Sequence, residues 1–98
     1  MKSITKEDIK KIFDAILEKL DRDHIKEVVI EQDLYRFIST DEWDSYEQTN
    51  VIEGSLFDDF DSLKLLIADP TRYCTYVDFD RTASILRYIS EKLAPVNN

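Results

Sequence analysis

The chain has 98 residues, with 43% hydrophobic and 35% charged side chains, a single glycine and a formal net charge of −8 at pH 7. This length predicts one domain, residues 1–98, and the hydrophobic content excludes a disordered acidic tail. The charge argues against nucleic acid and anionic membranes as partners, because phosphate contacts need clustered lysines and arginines, and it favours a basic protein surface.

The first predicted element is an amphipathic helix that begins after Thr5 and ends near residues 21–23. Thr5 and Asp8 have the spacing of a capping box, in which each side chain satisfies a backbone N–H group of the other residue. Apolar residues recur at three- and four-residue steps and form one stripe along the helix. The stripe consists of Ile9, Ile12, Phe13, Ile16, Leu17 and Leu20.

Residues 25–38 allow two interpretations. The β-branched side chains of residues 28–30 favour a strand, and a second apolar group at residues 34–38 completes a hairpin or one long, bent strand. Read as a helix, the segment would place four of its apolar residues on one face. The β-branched cluster favours the strand.

Ser39 and Glu42 have capping-box spacing and predict a short helix over residues 40–47. A short strand at residues 51–52 follows and is ended by Gly54. Two longer helices come next, and each begins at a further capping box and ends at a proline. Their capping residues are Ser55 with Asp58 and Thr75 with Asp78, and their final prolines are Pro70 and Pro95.

Together these elements predict an α+β fold, with a long N-terminal helix, one β-hairpin or small antiparallel sheet, and three further helices on a single core. The alternative is an all-α bundle, which follows if residues 26–38 are helical. A short domain needs large side chains to build its core, so most aromatic residues of the second half are expected there. They are Trp43, Tyr46, Phe57, Phe60, Tyr73 and Tyr76.

Two of the helix starts give the chain a resemblance to a group of small acidic bacterial proteins. In that group an aromatic strand leads to a short acidic helix. A Gly-Ser-Leu-x-Asp-Asp start of a longer helix and a Thr-Tyr-x-Asp start of a final helix then follow. The matching stretches here are residues 34–38, 54–59 and 75–78. The resemblance implies this order of elements over roughly residues 33–93, and it implies no active site.

No catalytic, metal-binding or cofactor motif stands out, so we expect no enzyme activity, no metal and no cofactor. His24, the one histidine, is expected to be exposed to solvent. The acids of residues 58–61 do not form a calcium loop, because the sixth residue from Asp58 is Leu63 where a glycine is needed. They are better explained as acids that complement the dipole of a helix start.

The single cysteine, Cys74, cannot form an intramolecular disulfide, which favours a cytoplasmic location. We expect it to be a plain buried cysteine. The N-terminus lacks the apolar core of a signal peptide, and no apolar run approaches the roughly 20 residues that span a membrane.

Residues 39–69 carry nine acids and one base, Lys64, and hold the only tryptophan. Helix starts account for the acids of residues 58–61, which leaves the acids and aromatics of residues 41–53 unexplained. Interfaces favour tryptophan and tyrosine ringed by polar groups. The candidate partner-binding residues are therefore Asp41, Glu42, Trp43, Asp44, Tyr46, Glu47 and Glu53.

These features favour a small acidic protein-binding module that covers a basic protein surface. An immunity protein or inhibitor of a nuclease or other toxin would be one version. The alternative is a structural or regulatory protein that forms homo-oligomers, with a homodimer as one form, and that has no charged-surface partner.

Overall fold

The computed structural model describes residues 2–38 and 51–94, and for residues 37, 38, 51 and 52 it describes the backbone alone. The fold is α+β. The described elements are α1 (Lys6–Arg22), β1 (Leu34–Ile38), β2 (Val51–Ser55), α2 (Leu56–Ala68) and α3 (Tyr76–Leu93). The described residues thus hold three helices where four were predicted, and the short helix predicted over residues 40–47 lies outside them.

The two strands form an antiparallel sheet, but the hairpin predicted within residues 25–38 is wrong. β1 pairs with β2, so that Tyr35 lies opposite Gly54 and Arg36 opposite Glu53. Residues 25–33 form no strand, because their polar backbone groups bond to helix residues and strand propensity yields to such tertiary contacts. Gly54 lies inside β2 and does not end it.

Residues 23–33 cross from the end of α1 to the start of β1 and are tied to α3 on the way. The Tyr88 hydroxyl accepts a hydrogen bond from the Glu31 N–H group at 2.8 Å and donates one to the Val29 carbonyl at 3.2 Å. Lys92 also donates to the Glu31 carboxylate at 2.7 Å. These bonds explain why β-branched residues here run as a single extended segment.

β2 leads directly into α2, because Ser55 is both the last residue of the strand and the N-cap of the helix. Its hydroxyl accepts from the Asp58 N–H group at 3.2 Å, as the capping pattern predicted. α2 and α3 pack together as a helical hairpin, and α2 also contacts β2. Among the described residues, Leu56 is the one apolar side chain that is fully buried, at 1% exposure.

α1 begins with the predicted capping box, which is confirmed. The Asp8 N–H group donates to Thr5 Oγ1 at 3.0 Å, and the Thr5 N–H group donates to the Asp8 carboxylate at 3.2 Å. One edge of the apolar stripe faces α3 across a groove of about 700 Å³. The groove is lined by Ile12, Ile16 and Leu20 of α1 and by Leu86, Ile89 and Leu93 of α3.

The groove leaves much of the α1 stripe exposed to solvent. Ile9, Phe13 and Leu17 retain 43%, 38% and 58% of their accessible surface. Ile12, which lines the groove, also retains 56%, so the apolar stripe of α1 is only partly covered. None of the helices in the described ranges is both long enough and apolar enough to cross a membrane.

Candidate functional site

The most enclosed charged group in the described part of the chain is the carboxylate of Asp78, in the first turn of α3. It is 1% exposed. It accepts hydrogen bonds from Arg72 Nη2 at 2.9 Å, from Arg81 Nη1 at 2.8 Å and from the Thr75 N–H group at 3.0 Å. These bonds, above all the one from Arg72, lower the pKa of Asp78 to about 2.

A carboxylate that stays ionised down to such a low pH is a poor proton donor or acceptor near neutrality. The neighbouring Asp80 is exposed to solvent, so the two acids lie in different environments. Asp78 thus acts as an anchor that joins the α2–α3 connection to the start of α3. The sequence pattern identified it as a capping residue, but the two arginines that bond to it were not predicted.

A second polar contact joins the sheet to the helices. The Tyr35 hydroxyl donates a hydrogen bond to Asp59 at 2.6 Å. Burial, followed by the bond to Asp59, raises the pKa of Tyr35. The sequence predicted only that Asp59 complements the dipole of α2. The tertiary structure shows that Asp59 also accepts a hydrogen bond from Tyr35 of β1.

The first two turns of α2 present a mixed surface to solvent, which we call the acidic-aromatic face of α2. It consists of Phe57, Asp58, Phe60, Asp61 and Lys64. Three- and four-residue steps place these side chains on the side of the helix opposite Leu63 and Leu66, which are partly buried. Phe57 and Phe60 remain 49% and 42% exposed.

Lys64 belongs to the same face and lies over one of its rings. Its Nζ atom is 4.8 Å from the centre of the Phe60 ring, within the range of a cation–π contact. The face therefore combines two aromatic rings, two carboxylates and one lysine whose charge is already directed at a ring.

Further aromatic side chains are exposed where α2 ends and α3 begins. Tyr73, Tyr76 and Phe79 retain 86%, 79% and 68% of their accessible surface. The prediction that most second-half aromatics build the core is therefore wrong for Phe57, Phe60, Tyr73 and Tyr76, and Trp43 and Tyr46 lie outside the described residues. Phe57 and Phe60 lie on the side of α2 opposite the partly buried Leu63 and Leu66, and Tyr73 and Tyr76 lie where α2 connects to α3.

Of the predicted partner-binding residues, the structure describes Glu53 alone. Glu53 is exposed on β2 and pairs across the sheet with Arg36, at 3.3 Å between the carboxylate and Nε. Because β2 continues into α2, Glu53 lies only a few residues before the acidic-aromatic face in the sequence. The remaining candidates, which lie outside the described residues, are Asp41, Glu42, Trp43, Asp44, Tyr46 and Glu47.

A cleft of about 740 Å³ lies beside the sheet and α3. Its charged lining residues are Arg36, Glu53 and Glu91. The Arg36 guanidinium already pairs with Glu53, and the cleft is open to solvent, so it does not enclose a small ligand in the way that binding pockets do.

The one histidine and the one cysteine of the chain, His24 and Cys74, are both exposed. His24 is exposed, as predicted, and adopts a positive φ of 57° just after α1. Cys74 is also exposed, so the prediction of a buried cysteine is wrong. Cys74 lies in the connection between α2 and α3, where no layer covers the chain. Among the described residues, no group of three or more His, Cys, Asp or Glu side chains is placed to hold a metal ion.

No protein-family model matches this chain, and no curated protein or solved structure shows significant similarity to it. The resemblance carried by residues 54–59 and 75–78 therefore rests on those motifs alone.

Proposed function

We propose that this chain is a small acidic protein-binding module that covers a basic surface of another protein, as an immunity protein or inhibitor of a toxin or nuclease does. The observation that carries the proposal is the exposure of Phe57 and Phe60 beside Asp58 and Asp61. Exposed aromatic side chains ringed by polar groups are typical of protein interfaces.

Charge and apolar contact would act at different stages of binding. The net charge of −8 attracts a basic partner over a distance and speeds the encounter. In the complex, Asp58 and Asp61 would meet lysines or arginines, while the two phenylalanine rings supply apolar contact. The Phe60 ring already carries a cation on its face, so an arginine of the partner can take the position of Lys64.

The predicted residues of the preceding segment belong to the same proposal. Glu53 leads into α2, and Asp41, Glu42 and Asp44 add to the negative charge carried by residues 39–69. Trp43 and Tyr46 have the composition of anchor residues. This part of the proposal rests on the sequence pattern.

The test is capture of a partner from the source lysate by the immobilised full-length chain, at low and at high salt. We expect a basic protein that is retained at low salt and released at high salt, because screening weakens attraction between exposed charges. With the purified partner, Phe57→Ala and Phe60→Ala should each weaken binding by roughly tenfold or more, as removal of an interface anchor does.

Matched controls separate the surface from general effects of charge and hydrophobicity. Val29→Ala removes a 64% exposed apolar side chain, and Glu27→Lys reverses an exposed acid, both on the segment before β1. Both variants should bind normally, whereas Asp58→Lys with Asp61→Lys should not.

If the immobilised chain retains no basic protein at low salt, the proposal is wrong. If reversing the charges of both Asp58 and Asp61 leaves binding unchanged, α2 is not part of the binding surface. A triple reversal of Asp41, Glu42 and Asp44 tests the preceding segment in the same assay. The alternative function, a homo-oligomeric protein without a charged-surface partner, predicts that none of these reversals matters.

A further inference from the structure

α1 carries a regular row of five exposed side chains, which we call the outer row of α1. It consists of Lys6, Ile9, Phe13, Leu17 and Asp21. Steps of three and four residues keep all five on one side of the helix. The three central side chains are apolar and exposed, at 43%, 38% and 58%.

The two ends of the outer row carry opposite charges that have no ion-pair partner among the described residues. Every other charged side chain of α1 is engaged, either in the capping box or in one of four ion pairs at i,i+4 spacing. Lys6 and Asp21 are the exceptions. They are separated by about 22 Å along the helix, at 1.5 Å per residue, so they cannot pair with each other in one chain.

The outer row is complementary in charge to the outer row of a second copy that runs in the opposite direction. In an antiparallel pair of α1 helices related by a two-fold axis beside Phe13, Lys6 of each copy would face Asp21 of the other. Ile9 would face Leu17, and the two Phe13 rings would meet at the axis. A parallel pair would instead place like charges together at both ends, which is unfavourable.

The charge of α1 also distinguishes a second copy from other partners. The helix contains five acidic and five basic residues, so it is neutral within a chain whose net charge is −8. Two copies repel each other least along this helix, whereas a basic partner gains nothing from approaching it. We propose that the outer row of α1 is a docking surface for a second copy of this chain, in antiparallel orientation. This proposal is independent of the one made for α2.

The contact is only one helix wide, well below the area of a standard stable interface. We therefore expect a dimer that forms and dissociates with concentration. Sedimentation of the purified chain, with no other protein present, should show mass rising from monomer to dimer at concentrations up to about 1 mM, the weak end of specific binding. A monomer throughout this range overturns the proposal.

Variants test the surface and then the orientation. Phe13→Glu should raise the dimer dissociation constant by about a hundredfold or more, because two carboxylates would meet at the axis. Val29→Glu, which changes an exposed apolar residue elsewhere, should leave the dimer unchanged. If Phe13→Glu still dimerises like the unmodified chain, the outer row is not the interface.

Lys6→Asp should weaken the dimer about tenfold, since a carboxylate at position 6 would face Asp21 twice in the complex. Combining it with Asp21→Lys restores opposite charges and should restore the dimer. Both positions are exposed on the surface, so these variants remain informative even if Phe13→Glu fails to fold. A double variant as weak as Lys6→Asp alone overturns the antiparallel arrangement.

Discussion

At the scale of single residues, a few polar side chains fix how the elements meet. Tyr35 bonds to Asp59 across the sheet–helix boundary, and Asp78 receives two arginines and a backbone N–H group. A further carboxylate, that of Asp33, accepts from the Ser55 hydroxyl and from a backbone N–H group of α2. With little fully buried apolar surface in the described residues, such directional bonds decide which arrangement is adopted.

Gly54 leaves room for the ring of Tyr35, which lies against the backbone at this position. A Cβ atom at residue 54 would be 2.5 Å from Cζ of Tyr35 and closer still to the hydroxyl oxygen. We expect Gly54→Ala to lower the free energy of unfolding by about 1–3 kcal/mol, the usual cost of overpacking. Urea denaturation of the purified variant and of the unmodified chain measures this difference in the free energy of unfolding.

A double-mutant cycle identifies the cause of that loss. In a Tyr35→Val background the ring is absent, so Gly54→Ala should cost less than about 0.5 kcal/mol. If Gly54→Ala costs the same in both backgrounds, the Tyr35 ring is not what the glycine accommodates.

Asp78 should make stability depend on pH in the acid range. Its folded-state pKa of about 2 lies below the value of about 3.9 expected in an unfolded chain. As pH falls, the unfolded chain binds the proton first, so this stabilisation is complete above about pH 4 and is lost between about pH 4 and pH 2. Thermal unfolding measured across this range should therefore show a steep decrease.

Asp78→Asn removes the titrating group, so the variant should lose less stability between pH 4 and pH 2. Its stability above pH 4 should be lower than that of the unmodified chain. Asp80→Asn, at an exposed neighbouring position, should retain the steep decrease. An equally steep loss in Asp78→Asn would show that other groups cause it.

At the scale of elements, each helix is covered on a different fraction of its surface. α2 and α3 pack against each other, while α1 lines a groove together with α3. The segment of residues 23–33 has no secondary structure of its own and depends on Tyr88 and Lys92 of α3.

Tyr88→Phe tests how firmly that segment is held. The variant loses the bonds to the Glu31 N–H group and the Val29 carbonyl, so stability should fall by about 0.5–1.5 kcal/mol. The amide hydrogen of Glu31 should also exchange faster. Tyr73→Phe removes the hydroxyl of an 86% exposed ring and should change neither quantity. Normal protection of the Glu31 amide in Tyr88→Phe would contradict this role.

At the scale of the whole molecule, the described residues form a layer of helices and a small sheet that leaves large apolar side chains in solvent. Surfaces of this kind mark sites of association. The acidic-aromatic face of α2 and the outer row of α1 lie on different helices and differ in charge, so we propose a different partner for each. Partner capture tests the first face and self-association tests the second, and either can fail without the other.

The sequence by itself determined the three described helices. The bounds of α1, α2 and α3 follow from their capping residues, their apolar spacing and the prolines beyond two of them, because these signals act within a few residues. The exposure of His24 was predicted correctly for the same reason. Pro70 follows the end of α2 closely, as a residue that cannot continue a helix should.

Only the tertiary structure decided which strands pair and which apolar side chains are covered. β1 pairs with a strand beyond residues 39–50 rather than within residues 25–33, and no local signal encodes that choice. Phe57 and Phe60 were expected in the core as large aromatic residues and Phe13 as a member of the α1 stripe, yet all three are exposed. A periodic pattern shows that a helix has an apolar side, but what covers that side depends on the arrangement of the whole chain and its partners.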